Sequence, residues 1–346
     1  MSGKRAITLL ASACALAGVA VPLAAAADGF YKGKTLTLIV GTIAGGGYDA
    51  NGRLVARHIG RFIPGAPNVV VQNMPGASGI KAVNFLYAIA PKDGTTIATF
   101  NSAMPFYETV GASGVQFKST ELSWIGSLSQ NVNVIVVMRD TGVRTLEDAK
   151  KKEVIMGALT GGGTMSAYPI LLNNLFGTKF KVVAGYSGGN EVNLAIERGE
   201  VQGRGTTPWS TWKTTRPEWV KDGRVVPLVQ IGPKKDPELA AMGVPLLDDL
   251  AENEEQRQIF RLLGGNTYIE RPFAGPPRIP ADRLEILRRA FDAVAKDPQF
   301  LADAEREQAE VDPQTGENVA LLVKQIVGSP AAVIERVKAV MPGGAQ

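Results

Sequence analysis

The chain has 346 residues, with 37 Lys and Arg against 33 Asp and Glu, one His and one Cys. So balanced a charge does not point to a nucleic-acid partner, and one histidine with one cysteine is too few for a His/Cys zinc site. Beyond the N-terminal segment, no stretch has the roughly 20 unbroken apolar residues that a membrane span needs. Residues 1–27 read as a signal peptide: Lys4 and Arg5, then an apolar stretch interrupted by Pro22, then the small-residue site Ala24-Ala25-Ala26. This predicts an exported, periplasmic protein whose mature chain begins near Asp28. Cys14 lies inside the segment, and the apolar stretch runs well past it, unlike a lipoprotein signal. Losing Lys4, Arg5 and Cys14 leaves 35 basic and 33 acidic residues and no cysteine. Stability must then come from a buried core, which a chain of about 320 residues is long enough to build.

From there, strand-like apolar runs alternate with helical patterns, as in α/β domains. "TLTLIV" (Thr35 to Val40) is the first strand, followed by a helix carrying Ala50, Leu54, Val55, Ile59 and Phe62 at helical spacing. "NVVVQN" (Asn68 to Asn73), a helix from Ser78 to Ala90, and "TTIATF" (Thr95 to Phe100) come next. "NVIVVM" (Asn133 to Met138) and "EVIMGAL" (Glu153 to Leu159) precede a helix from Thr164 to Phe176. "FKVVAGY" (Phe180 to Tyr186), a helix from Asn190 to Arg198, "EVQGRGT" (Glu200 to Thr206) and "RVVPLVQ" (Arg224 to Gln230) complete this region. After Gly232 the sequence reads as charged helices with solvated faces.

Two stretches echo each other: "IVGTIAGGGYDA" and "IMGALTGGGTMSA" are each a strand, a triple-glycine turn and a helix start. A helix start presents unpaired N–H groups and roughly half a positive charge. Glycine lets backbone approach a ligand closely, so such turns suit carboxylate, phosphate or sulfate. Without a ligand, each is simply a tight connection. Gly45 to Ala50 matches the dinucleotide pattern G-x-G-x-x-A, but the following strand ends in Gln72-Asn73 without the acid that holds a ribose. No P-loop or G-x-S-x-G elbow occurs. The single His58 sits on a helix beside Arg53, Arg57 and Arg61, so no Ser-His-Asp enzyme, metal site or cofactor is expected.

With "FYKGKTLTLIVGTIAGGGYDANGRLVARHI", "NVVVQNMPGASGIKAVNFLYAIAPKDGTTIATF", "WIGSLSQ", "MGALTGGGTMSAYPILLNNLFG", "VVAGYSGGNEVNLAIERGEVQG" and "PPRIPADRLEILRRAFDAVAKDPQF", the chain resembles the TctC-like, or Bug, solute receptors of tripartite tricarboxylate transporters. The resemblance covers nearly the whole mature chain. It implies an α/β type II periplasmic-binding-protein fold with two lobes, each a mainly parallel sheet flanked by helices, and a ligand cleft between them. Lobe 1 would be residues 28–130 plus 232–346 and lobe 2 residues 131–231. It also implies a small organic carboxylate held mainly by backbone N–H groups. The residues it assigns are Thr42, Ala44, Gly45, Gly46, Tyr48 and Asp49, then Ala77, Ser78 and Ser102, in the first lobe. In the second lobe they are Thr160, Gly161, Gly163, Thr164 and Ser166, with Tyr186, Arg204 and Thr206 as further candidates of this sequence.

Departures from the family's commonest form are "TIA" (Thr42 to Ala44), where a proline is usual, and "GRGTTPWSTW" (Gly203 to Trp212). Arg204 reads either as a surface residue or as a partner for a second carboxylate. Trp209, Trp212 and Tyr48 read either as core residues or as a stacking surface for an aromatic acid. The implied partners of a monomeric receptor are membrane permease subunits. The rival expectation is a sensor that presents its carboxylate to a signalling protein.

Overall fold

A computed structural model describes residues 29–159, 163–186 and 188–339. The predicted signal peptide, and Thr160 and Gly161, lie outside the described residues. The chain runs β1 (Thr35–Val40), α1 (Gly47–Ile59), β2 (Asn68–Asn73), α2 (Ile80–Ala88), β3 (Thr96–Thr99), α3 (Met104–Val110) and β4 (Ser123–Ser129). It then forms β5 (Asn133–Met138), α4 (Leu146–Lys151), β6 (Val154–Leu159), α5 (Gly163–Phe176), β7 (Phe180–Tyr186), α6 (Gly189–Glu197) and β8 (Gly203–Pro208). Next come α7 (Trp209–Thr215), α8 (Pro217–Lys221), β9 (Val225–Ile231), α9 (Pro237–Ala241) and α10 (Glu254–Gly264). The last elements are β10 (Glu270–Gly275), α11 (Ala281–Val294), α12 (Pro298–Arg306), β11 (Gln314–Thr315), α13 (Gly316–Val327) and α14 (Ala331–Ala339).

The strands form two sheets, ordered β11-β4-β10-β3-β1-β2 and β7-β6-β8-β5-β9. The first takes strands from residues 35–129 and 270–315, the second from residues 133–231. Pairing is parallel for β2-β1-β3 and β7-β6-β8, and antiparallel at β10 and at β5. Four strands of each sheet nonetheless run in one direction, with β10 and β11 reversed in the first sheet and β5 in the second. β5 enters the second sheet and β10 re-enters the first against the direction of the strands they join.

The parallel halves place both glycine turns at strand ends. Leu36, Leu38, Ile39 and Val40 of β1 are buried, as expected for a strand covered on both sides. Gly52 lets α1 lie close on this sheet: a Cβ there would sit 3.0 Å from Val40 and 3.2 Å from Thr99. The second sheet is covered on one side by Val192, Trp209, Trp212 and Trp219. On its other side Ile135, Val137 and Leu228 share a cluster with Phe260 of α10, Val333 of α14 and Phe106 of α3. The C-terminal helices thus join the second sheet to elements of the first, which fixes one side of the interlobe junction.

Candidate functional site

The first glycine turn leaves β1 at Gly41 and becomes α1 at Gly47, with Gly46 as an N-cap that offers no side-chain hydrogen bond. The start of α1 therefore has no side-chain cap of its own. Asp49 shapes the turn from below: it accepts from Gly45 N–H at 2.8 Å, Arg53 Nε at 3.0 Å and Asn73 Nδ2 at 2.8 Å. Asn73 also donates to the Thr42 carbonyl at 3.0 Å. Asp49 is thus a structural clasp, and the Gly45 N–H is already committed to it. Ala44 and Gly45 are exposed at the tip, and Gly45 has a φ of +81°.

The hydrogen bond from Arg53 dominates the lowering of the Asp49 carboxyl to about 2. A depressed carboxylate contributes stability above its ordinary range that is lost as pH falls through the folded value. Because Arg53 is largely exposed, we keep the expected contribution to about 1 kcal/mol. Asp49→Asn should therefore be less stable than the wild type at pH 7, and the gap should narrow as pH falls to 2. Urea melts at both values check this.

A second turn faces the same end of the first sheet. Gly76, Ala77, Ser78 and Gly79 all have positive φ, at 143°, 45°, 54° and 103°. For Ala77 and Ser78 this region costs roughly 1–2 kcal/mol each, and such strain tends to collect at functional sites. Both side chains are exposed. Ser102, just past β3, is buried, and its N–H donates to Tyr48 Oη at 3.0 Å.

Glu270 and Arg271 complete this half, and neither was foreseen in the sequence. Tyr48 donates to Glu270 Oε1 at 3.0 Å and Ser102 Oγ to Glu270 Oε2 at 2.6 Å. Arg271 pairs with Glu270 and lies 4.3 Å over the Tyr48 ring. Burial alone would lower the Arg271 pKa, but Glu270 and Tyr48 more than offset it and raise it. Burial, reinforced by Glu270, pushes the Tyr48 hydroxyl well above its ordinary value, so it remains a donor. No local signal marks them, since Glu270-Arg271-Pro272 reads as exposed loop and a proline argues against an inner strand.

In the second sheet, α5 begins at Gly163, and Thr206 Oγ1 of β8 donates to Thr164 Oγ1 at 3.3 Å. Ser166 is buried, with an Oγ that finds no partner among the described residues. Gly205 makes this approach possible, since a Cβ there would lie 1.8 Å from the Met165 carbonyl oxygen. Tyr186 ends β7, its hydroxyl raised mainly by burial and then by Glu200. Arg204 is buried in β8 rather than at the surface. Trp209 and Trp212 are core residues, Trp212 stacking on Trp219 with centroids 6.1 Å apart, so neither offers a surface to an aromatic ligand.

The sites foreseen in the sequence thus come together in two groups: Thr42, Gly45, Tyr48, Asp49 and Ser102 on one sheet, and Thr164, Ser166, Arg204 and Thr206 on the other. Between the sheets a cavity of about 160 Å³ is lined by Asn51, Ser129, Asn131, Pro208, Ser210 and Arg271, among others. A larger cavity of about 550 Å³, with Arg261, Leu262, Tyr268 and Ile326 in its wall, lies among the C-terminal helices, away from both glycine turns. His58 is structural: Nε2 lies 2.9 Å from Asp303 Oδ2, tying α1 to α12. Among the described residues no group of three or more His, Cys, Asp or Glu is placed to hold a metal ion.

No protein-family model matches the chain. It is 25% identical over 336 residues to a UPF0065 protein from the gbd 5' region of Cupriavidus necator, covering 95% of this chain and 94% of that one. Among solved structures, a TctC solute-binding protein from Polaromonas superposes with a TM-score of 0.66 at 19% identity, over 90% of this chain and 98% of the other. The chain has the fold of a TctC solute-binding protein. A further neighbour in fold, an R. palustris protein with adipate, superposes with a TM-score of 0.58 at 18% identity, covering 90% of this chain and 97% of its own. In the TctC fold the two groups of residues described above stand on separate sheets, at the strand ends that carry the glycine turns.

Proposed function

We propose that this protein is an exported receptor that captures a small organic carboxylate between its two sheets and delivers it to a tripartite tricarboxylate-type membrane transporter. The lobes are residues 28–130 with 232–346, and residues 131–231, with α10 and α14 as the fixed side of their hinge. The observation that carries this reading is the pairing of two glycine turns, each opening a helix, on facing halves. Such helix starts favour anions, and closing two lobes around a ligand is a common hinge motion. The TctC fold, the adipate-bound neighbour and the signal-like first 27 residues all support it. Held this way, the carboxylate is carried and not transformed. Ala77 and Ser78, with the hydroxyls of Thr164 and Thr206, supply further polar contacts around the bound acid.

The test is a thermal-shift panel on the mature chain, using di- and tricarboxylates, acidic amino acids and aromatic acids, each beside its neutral amide. A ligand at about 100 times its dissociation constant adds roughly 2.7 kcal/mol of stability. One acid class should raise the melting temperature while its amides do not. A shift with sugars or cations and with no acid would refute the proposal.

A further inference from the structure

The larger cavity among the C-terminal helices has no part in gripping an acid between the lobes. It encloses about 550 Å³, within the range of sites for small organic molecules. Arg261 and Leu262 of α10, Tyr268 of the turn after it, and Leu322 and Ile326 of α13 form most of its wall. Leu262 and Ile326 belong to the core that reaches the second sheet, whereas Tyr268 and Leu322 pack against the core of the first. The space thus lies where two cores meet without closing on each other, and packed protein rarely leaves so large a gap. Gly265 brings the two helices together at its edge, since a Cβ there would lie 2.6 Å from Ile326 Cδ1.

The polar groups around this apolar floor have little to hold. Among the described residues, the side chains of Gln258, Tyr268 and Gln325, all in the wall, make no hydrogen bond. Arg261 comes no closer than 3.5 Å to Glu254, a carboxylate that Arg257 already holds at 2.9 Å. Burial, then Asp248, pushes the Tyr268 hydroxyl up to about 12 while Arg261 acts against them, so the hydroxyl is a donor that lies near the guanidinium. The half-buried Asp248 is hydrogen-bonded to neither. Two donors therefore stand beside an apolar floor, one of them a cation, and neither meets an acceptor at hydrogen-bond distance among the described residues. A carboxylate supplies that acceptor, and a guanidinium is the side chain best shaped to receive it.

We propose that this cavity is a second ligand site, for an amphipathic monocarboxylate whose hydrocarbon body lies on Leu262, Leu322 and Ile326 and whose carboxylate meets Arg261 and Tyr268. A small molecule fits better than a protein partner, because the site is a concave pocket, whereas stable protein interfaces spread over roughly 800 Å² on each side. Its occupant differs from the acid carried between the lobes: the apolar body contributes as much as the charge, and neither glycine turn takes part.

The experiment is calorimetric titration of the mature chain with octanoate and, as its uncharged counterpart, 1-octanol. Octanoate should bind about tenfold more tightly than 1-octanol, the lower end of what a hydrogen bond to a charged group contributes. Arg261→Gln should erase that preference and leave 1-octanol binding unchanged within about threefold. Gln325→Trp, which puts a large ring into the wall, should weaken both by tenfold or more. Both positions are exposed, so neither substitution puts the fold at risk. No binding of octanoate at 5 mM, a concentration on the order of weak-ligand dissociation constants, would overturn the inference. Equal binding of acid and alcohol by the wild type would overturn the carboxylate class. Octanoate binding that both variants leave intact would put it in the interlobe cleft, removing the second site while leaving the receptor reading in place.

Discussion

Replacing Gly205 by alanine should destabilise the protein by about 3 kcal/mol and abolish ligand binding. The reason is local and severe. The new Cβ would lie 1.8 Å from the Met165 carbonyl oxygen and 2.7 Å from its carbonyl carbon. These are backbone atoms in the first turn of α5, so no side-chain rotation gives relief. The helix start must lift from β8, and with it goes the Thr164–Thr206 contact that joins the two halves of the second-lobe site. Urea denaturation, with ligand titration of whatever fraction folds, reads both effects. Wild-type stability in Gly205→Ala would mean that α5 does not sit on β8 as described.

The second large effect concerns Glu270. Its carboxylate accepts from Tyr48, Ser102 and Arg271 together, and it is buried. Glu270→Ala strands the partly buried guanidinium of Arg271 above the Tyr48 ring and removes the acceptor of two hydroxyl groups. Breaking a buried pair from one side costs about 3–5 kcal/mol, and we expect the lower end because Arg271 retains some contact with solvent. Tyr48 lies in the first turn of α1, so the ligand-facing turn should loosen as well. Arg271→Ala should cost less, and the double variant should be more stable than the sum of the single losses implies, as expected for residues in one network. A coupling below about 0.5 kcal/mol, with the two losses simply adding, would show that the cluster is not a coupled unit.

Much of the fold is legible in the sequence because several strands read as apolar runs, whether buried along most of their length, as β1 and β5 are, or half-exposed at a sheet edge, as β2 and β7 are. β1, β2, β5 and β7 match those runs residue for residue. β10 does not, because it opens with Glu270, Arg271 and Pro272, a pattern that reads as exposed loop. What buries those charges is their mutual pairing and the hydroxyls of Tyr48 and Ser102, distant in sequence. The antiparallel pairings are hidden for a similar reason: nothing in "ERPFAG" records that it inserts between β3 and β4.

The candidate site divides in the same way. Glycine turns and helix starts are local, so Gly45, Gly46, Thr164 and their neighbours could be picked out. The role of Asp49 depends on Asn73 arriving from the next strand, and its carboxylate proved to be occupied by the turn itself. Arg204 sits between Gly203 and Gly205, a run whose small residues suggest an open strand end. Its burial depends on α6 packing over it and on Trp212 closing behind, contacts without a local signature.

The most direct measurement is a crystal structure of the mature chain with the carboxylate that gives the largest thermal shift. The ligand should lie between residues 42–49 of the first lobe and the start of α5 in the second, with a carboxylate oxygen against the N–H groups of a helix start. Density instead in the cavity beside Tyr268 and Arg261, with the interlobe cleft empty, would contradict a receptor that grips its ligand between paired glycine turns.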